Sequence, residues 1–219
     1  SGRKNHAKRH GAPKLIPHKA SGLKVMKYDP GKDDYHEWKE IADIRSVFWV
    51  MSKKAGNHGS PLSHPSFHHF YSNGSKFWHP QHTHENIRKG KLRINGIPGE
   101  ESSLYPNKLA VVSLVTSGKV TASRIGKDRG FGGNHNWDGE IGEILIYDRE
   151  LSVEEVEQIE NFLIGKWNIQ RKPQNEWGAP LAYLSFDKRE GNRYPNEANP
   201  AKAANTNANN KEVEGKLGK

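Results

Sequence analysis

Residues 137–169 read WDGEIGEILIYDRELSVEEVEQIENFLIGKWNI and hold a strand, a turn and a helix in one run. Ile144 and Ile146 fall on one face of an extended segment, with Leu145 and Tyr147 on the other, so both faces are expected to be covered. Asp148-Arg149-Glu150 is a polar turn. Ser152 follows as a helix cap, with Glu155 three residues on, where a capping box requires it. Val156, Ile159, Leu163 and Trp167 recur at helical spacing. Glu154, Glu155, Glu157 and Glu160 crowd the first half of that helix, and Lys166 stands near its end, in the sense that the helix dipole favours. The spacing predicts one short amphipathic helix docked on the rim of a β-sandwich.

Working outward, the rest of the chain reads as short strands separated by Gly-rich turns. Leu23, Val25 and Tyr28 mark a first strand, closed by the turn signal Asp29-Pro30-Gly31. In Ile44 to Lys53, Val47, Trp49 and Met51 alternate with Ser46, Phe48 and Val50. Residues 55–86 are loop-rich, with a short strand expected at Phe67 to Tyr71. Lys91 to Gly99 is a hairpin turning at Asn95-Gly96. Leu109 to Thr116 is a strongly apolar strand. Ser117-Gly118 is expected to turn it back, so that Lys119 to Gly126 pairs antiparallel with it. This pattern argues for a two-sheet, all-β domain.

WDGEIGEILIYDRELSVEEVEQIENFLIGKW resembles the C-terminal end of concanavalin A-like lectin/glucanase (laminin-G-like, LamG) domains of large secreted or surface bacterial proteins. GKLRINGIPG and YPNKLAVVSLVTSGKVTASRIGKDR are similar to that family's preceding strands. The resemblance covers residues 20–170. It implies a jelly-roll β-sandwich with a short C-terminal helix, an extracellular or cell-surface location, and non-catalytic glycan binding or adhesion. Residues 171–180 then read as a linker. Residues 181–219, with LAYLSFDKREGN and a terminal VEGKLGK, resemble the truncated start of a second domain of the same kind. Such a domain would neighbour others of the same chain. One sandwich hosts many activities, so the fold does not by itself assign one.

Charge and composition narrow the function classes. Residues 1–28 carry eight basic residues and no acid, whereas the remainder carries 26 basic and 25 acidic residues. The net charge of +9 thus belongs to one end, and residues 1–19 read as a basic flexible arm. A nearly neutral body argues against a nucleic-acid partner. Without cysteine there is no disulfide framework, thiolate metal site or cysteine nucleophile. No apolar run is long enough to span a bilayer. The first residue is Ser rather than Met, which is expected of a processed chain or a fragment.

Four constellations could carry chemistry. Seven of twelve histidines fall between His58 and His84, and His82-x-His84 on a strand would point both rings the same way, a clip for a divalent metal such as Zn or Ca. HExxH spacing is missing, and the alternative is a polar loop surface. Asp138, Glu140 and Glu143 share the spacing of the resembled glucanases' Glu-x-Asp-x-x-Glu strand, with Asp and Glu exchanged at the first two positions. As a polysaccharide hydrolase the chain would use Asp138 and Glu143, but the required separation of about 5 Å suits the native pair better than a shorter Asp. The loop 126–139 brings Asp128 and Arg129, a pair that can shape it, together with Asn134, His135 and Trp137. That mixture of amide, imidazole and indole suits a polysaccharide or glycoprotein glycan, which needs a flat apolar face and planar hydrogen-bonding groups. For Trp137 the core reading is the favoured one, since large aromatics that open a strand are mostly buried. In the aromatic run 67–84, Asn73, Trp78 and His79 form the expected exposed platform. The remaining alternative is a structural spacer or adhesion repeat without a small ligand.

Overall fold

The computed structural model describes residues 6–67, 69–129 and 135–170, and the backbone of 193–194 and 204–205. The chain divides into two units, Ser1–Gln170 and Arg171–Lys219. In the second, β9 (Arg193–Tyr194) and β10 (Ala204–Asn205) pair antiparallel. The readings of residues 171–180 as a linker and of LAYLSFDKREGN as a family strand lie outside the described residues.

The first unit is mostly antiparallel β-sheet with few helices. Its strands are β1 (Lys8–His10), β2 (Lys14–Pro17), β3 (Lys24–Tyr28), β4 (Tyr35–Lys53), β5 (Lys91–Ile94), β6 (Ile97–Gly99), β7 (Ala110–Ile125) and β8 (Gly139–Tyr147), with helices α1 (Glu85–Arg88) and α2 (Val153–Trp167). The strands form one hydrogen-bonded sheet in the order β2-β3-β8-β4-β7-β5-β6, and β1 adds to the N-terminal end of β4.

The alternation in β4 sorts its side chains to the two faces. Val47, Trp49 and Met51 join an aromatic core with Val112, Leu114, Trp137 and Ile141, closed by Leu62, Phe70, Phe77, Trp78, Ile87 and Tyr105 from the connection between β4 and β7. Phe48 and Val50 join Val25, Val111 and Val115 under Leu151, Val156, Leu163, Ile164 and Trp167. The helix therefore lies on a face of the sheet rather than its rim. Gly142 makes the docking possible, because a Cβ there would stand 2.5 Å from the Trp167 ring. A β-bulge between Val50 and Met51 faces this same point of β8.

The ends of α2 follow the sequence. Ser152 Oγ accepts from the Glu155 amide at 3.3 Å, and Glu155 Oε2 accepts from the Ser152 amide at 2.9 Å. Asn168, left-handed at φ 49°, ends the helix, and the Ile169 amide reaches back to the Ile164 carbonyl at 3.0 Å. Glu160 is buried against the sheet, accepting from Arg93 Nε at 3.1 Å and Ser113 Oγ at 2.5 Å.

Three expectations are corrected. Residues 8–10 and 14–17 of the supposed arm are strands, paired with β4 and β3. Ser117-Gly118 does not turn. β7 runs through it and pairs with β4 from Ala110 to Ile125, the register shifts falling between Glu37 and Ser46 of β4. The glycine serves a close approach instead, since a Cβ on Gly118 would meet the Asn86 side chain at 2.6 Å. In the expected strand from Phe67 to Tyr71, the described residues Phe67 and His69 to Tyr71 are turn and coil.

Candidate functional site

The site grows from the end of β4. Lys53 is the last residue of the strand, and its side chain is buried beneath the connection that follows. Its Nζ donates to the carbonyl of Asn57 and, at 2.5 Å, to that of Gly74. It also lies over the rings of Tyr105, at 4.3 Å, and Trp137, at 5.7 Å. Burial pushes the ammonium down to about 7, opposed by the nearby Asp138 carboxylate. One side chain thus ties down two loop positions, each next to a residue of the site. Asn57 precedes His58, and Gly74 belongs to a tight turn in which Asn73 and Lys76 exchange backbone hydrogen bonds of 3.1 and 3.0 Å. The Gly74 amide closes the arrangement by donating to His58 Nδ1 at 3.2 Å.

Tyr71 lies at the centre. It is partly buried, and four imidazoles surround its ring at centroid distances of 5.7 Å (His79), 5.9 Å (His82), 6.2 Å (His135) and 6.3 Å (His58). Its hydroxyl is 3.4 Å from His135 Nδ1. His135 stacks at 5.7 Å on His58, and His79 at 4.3 Å on His82. Through these contacts the loop after β4 and the loop after β7 meet. The second loop also supplies Asp128, buried, and Arg129, whose Nε is 3.8 Å from Asp128 Oδ2. Burial raises the Asp128 carboxyl above the usual carboxylate range, against the pull of Arg129 and His135. Burial and then the Asp128 charge raise the Tyr71 hydroxyl, so Tyr71 stays a neutral donor and acceptor. The basin combines one aromatic ring with polar groups of both signs.

The structure thus brings His79, His82, His135, Asp128 and Arg129 together. Asn73 stands at its margin, in the turn that holds Gly74. Asn134 lies outside the described residues. Trp78 and Trp137 are corrected: they are 2% and 0% exposed and belong to the aromatic core, so neither is a platform. Large aromatics bracketed by turn residues look alike in sequence whether they face in or out, and only the packing of Phe70, Phe77 and Tyr105 around these two settles it. Sequence reasoning passed over Tyr71 and His58. A long-range meeting of two loops makes Tyr71 central, and periodicity carries no signal for that.

The premise of the His82/His84 clip is also corrected. His82 lies in a turn, and His84 caps α1, its Nδ1 accepting from the Asn86 amide at 3.2 Å. Among the described residues no three His, Asp or Glu side chains converge to hold a metal ion. Of the three acids, Glu143 accepts from Lys166 Nζ at 2.8 Å and Trp167 Nε1 at 3.0 Å, and so faces α2. Asp138 is 3.4 Å from Lys54 Nζ. Glu140 lies opposite Lys27 of β3. No helix among the described residues is long and apolar enough to cross a membrane. No family model, curated protein or solved structure matches the chain.

Proposed function

We propose that the chain is a non-catalytic binding module that takes a carbohydrate, on a polysaccharide or a glycoprotein, in the Tyr71 basin. One observation carries this reading: a partly exposed tyrosine ringed by His58, His79, His82 and His135, beside Asp128 and Arg129. A pyranose offers a C–H face that packs on such a ring and hydroxyls that exchange hydrogen bonds with imidazole, phenol and carboxyl groups. A binding role without catalysis is supported by the engagement of Glu143 with α2 and of Asp138 with Lys54, which gives both acids structural work. We read the sheet as a concanavalin A-like jelly roll of a secreted or surface protein. Its two longest strands, of 19 and 16 residues, shift register where a strand passing between layers would bend.

The test is a glycan array and titration calorimetry with the wild type and Tyr71→Ala. Binding weakened at least about tenfold, or about 1.4 kcal/mol, by Tyr71→Ala and largely kept by Tyr71→Phe is the expected result. An array left blank by the folded protein across neutral and acidic polysaccharides overturns the proposal in favour of a spacer. Release of reducing ends that stops in Glu143→Gln would overturn it in favour of a hydrolase.

A further inference from the structure

Helix α2 leaves part of its own face of the sheet open. The strand order β4-β7-β5-β6 carries the sheet past the helix, and the β5-β6 hairpin forms its edge. Arg93 of β5 is opposite Ser113 of β7 and reaches the middle of α2, where its Nε donates to Glu160 Oε1 at 3.1 Å. The next row, Lys91 opposite Val115, has no such tie, and there a groove of about 660 Å³ separates the hairpin from the start of the helix. Leu151, Val153 and Val156 line it from the helix side, Val115 from β7 and Pro98 from β6. Val153 is 53% exposed, an aliphatic side chain left open to solvent at the first position of α2. Pockets that hold small molecules measure about 300–1,000 Å³ and are lined mainly by apolar groups, with a few polar ones that fix orientation.

We propose that this groove binds a medium-chain fatty acid, with its tail along the aliphatic side chains and its carboxylate on Lys91. The charges decide the head group. Three charged residues line the groove: Lys91, Arg93 and Glu150. Glu150 accepts from Arg45 Nη2 at 2.7 Å, and Arg93 is taken up by Glu160 and, at 3.3 Å, by Glu157. Lys91 is exposed, and its ammonium has no partner among the described residues. The charge left for a ligand is therefore a single cation beside an apolar surface, and a ligand with one anionic group on an apolar body complements it. The edge itself argues against an added peptide strand. β6 has only three residues, and Pro98, its middle one, has no N–H to donate to a further strand. The groove lies on the face opposite the Tyr71 basin and is independent of what that basin binds.

The experiment follows the methyl groups of Val115, Leu151, Val153 and Val156 by ¹H–¹³C NMR of the full chain at about pH 7.5, where a fatty acid is ionised. Hexanoate, octanoate and decanoate are titrated in turn, each below the concentration at which it aggregates. Saturable shifts centred on the groove are expected, with affinity rising by up to about fourfold for each methylene that becomes buried. Octanamide has the same tail and no charge, and it is expected to bind about threefold more weakly than octanoate, the worth of one exposed ion pair. Lys91→Met changes an exposed side chain and should abolish that preference. Val153→Asp sets a second negative charge in the apolar lining and should weaken octanoate at least about tenfold, while an acid at the first helical position suits the dipole of α2 and keeps the fold. The proposal is overturned if none of the three acids gives saturable shifts, if octanamide binds as tightly as octanoate, or if the preference survives Lys91→Met. Groove methyls that shift with protein concentration alone would seat a second copy of the chain there, and they too overturn it.

Discussion

Helix α2 closes one face of the sheet with fifteen residues of regular structure; the described residues between β4 and β5 and between β6 and β7 close the other with one helical turn and long coil. The helix satisfies its own backbone and needs only an aliphatic stripe and two caps to dock. The coil cannot satisfy its backbone internally, so its amides and carbonyls find side chains. Lys53 supplies donors to two carbonyls, and the imidazoles of His58, His64, His69, His79 and His84 take up amides. The aliphatic face is held by packing and a buried acid, the aromatic face by packing and titratable hydrogen bonds. The candidate site lies on the second face, where the covering loops are polar, convergent and free of a helix's regular geometry.

The sharpest way to break this contrast is in the aromatic core. Trp137→Ala removes a fully buried indole that touches Tyr105 and lies under Lys53 Nζ, and it is expected to cost about 3–5 kcal/mol in denaturant unfolding. A neutral result would return Trp137 to the ligand site. On the helix face the largest single effect is expected from Glu160→Ala. It takes the acceptor from Arg93 Nε and from the Ser113 hydroxyl beneath α2, leaves Arg93 only its more exposed pairing with Glu157, and should cost about 2 kcal/mol. If the loss is under about 1 kcal/mol, α2 docks by its apolar stripe alone.

Lys53 tests whether titratable bonds distinguish the loop face. Between its folded value of about 7 and the ordinary 10.5, the unfolded chain binds a proton that the folded chain has shed. Stability is therefore expected to rise with pH across that window and to lose its contribution below about pH 7, where the charge must be carried in the interior. The two carbonyls and two ring faces around Nζ hold the ammonium and temper the rise. Lys53→Met should flatten it. A slope that survives the substitution assigns it to another group.

The legibility of the sequence divides along the same line. Alternation in 44–53 and 144–147 assigned side chains to the faces they occupy, and the Ser152/Glu155 box and the Asn95-Gly96 turn are where local chemistry put them. Local rules failed where the deciding partner is distant. Ser117-Gly118 reads as a turn until β4 is seen to pair on both sides of it. The alternation of β4 before Ile44 is broken by register shifts, so its first half went unassigned. Lys8 to His10 gains strand form only from Glu37 to Tyr35. At the candidate site, the two loops were legible as polar and aromatic, but their convergence on Tyr71 rests on contacts between residues 58–82 and 135 that no spacing encodes.

The smallest effect sharpens the helix side. Ser152→Ala removes the hydroxyl that accepts from the Glu155 amide, while Leu151, Val156 and Leu163 keep their places in the apolar core. The expected cost is about 1 kcal/mol. Glu155 should keep its own contacts, because its carboxylate, held down to about 2 by Arg149 and by the Ser152 amide, does not depend on the hydroxyl. The Glu155 pKa, followed by NMR in the variant, should therefore stay well below the usual glutamate range even as the unfolding midpoint drops. A pKa that climbs back to that range would mean the two halves of the box act as one unit, and that the helix face too depends on a coupled polar network rather than on packing.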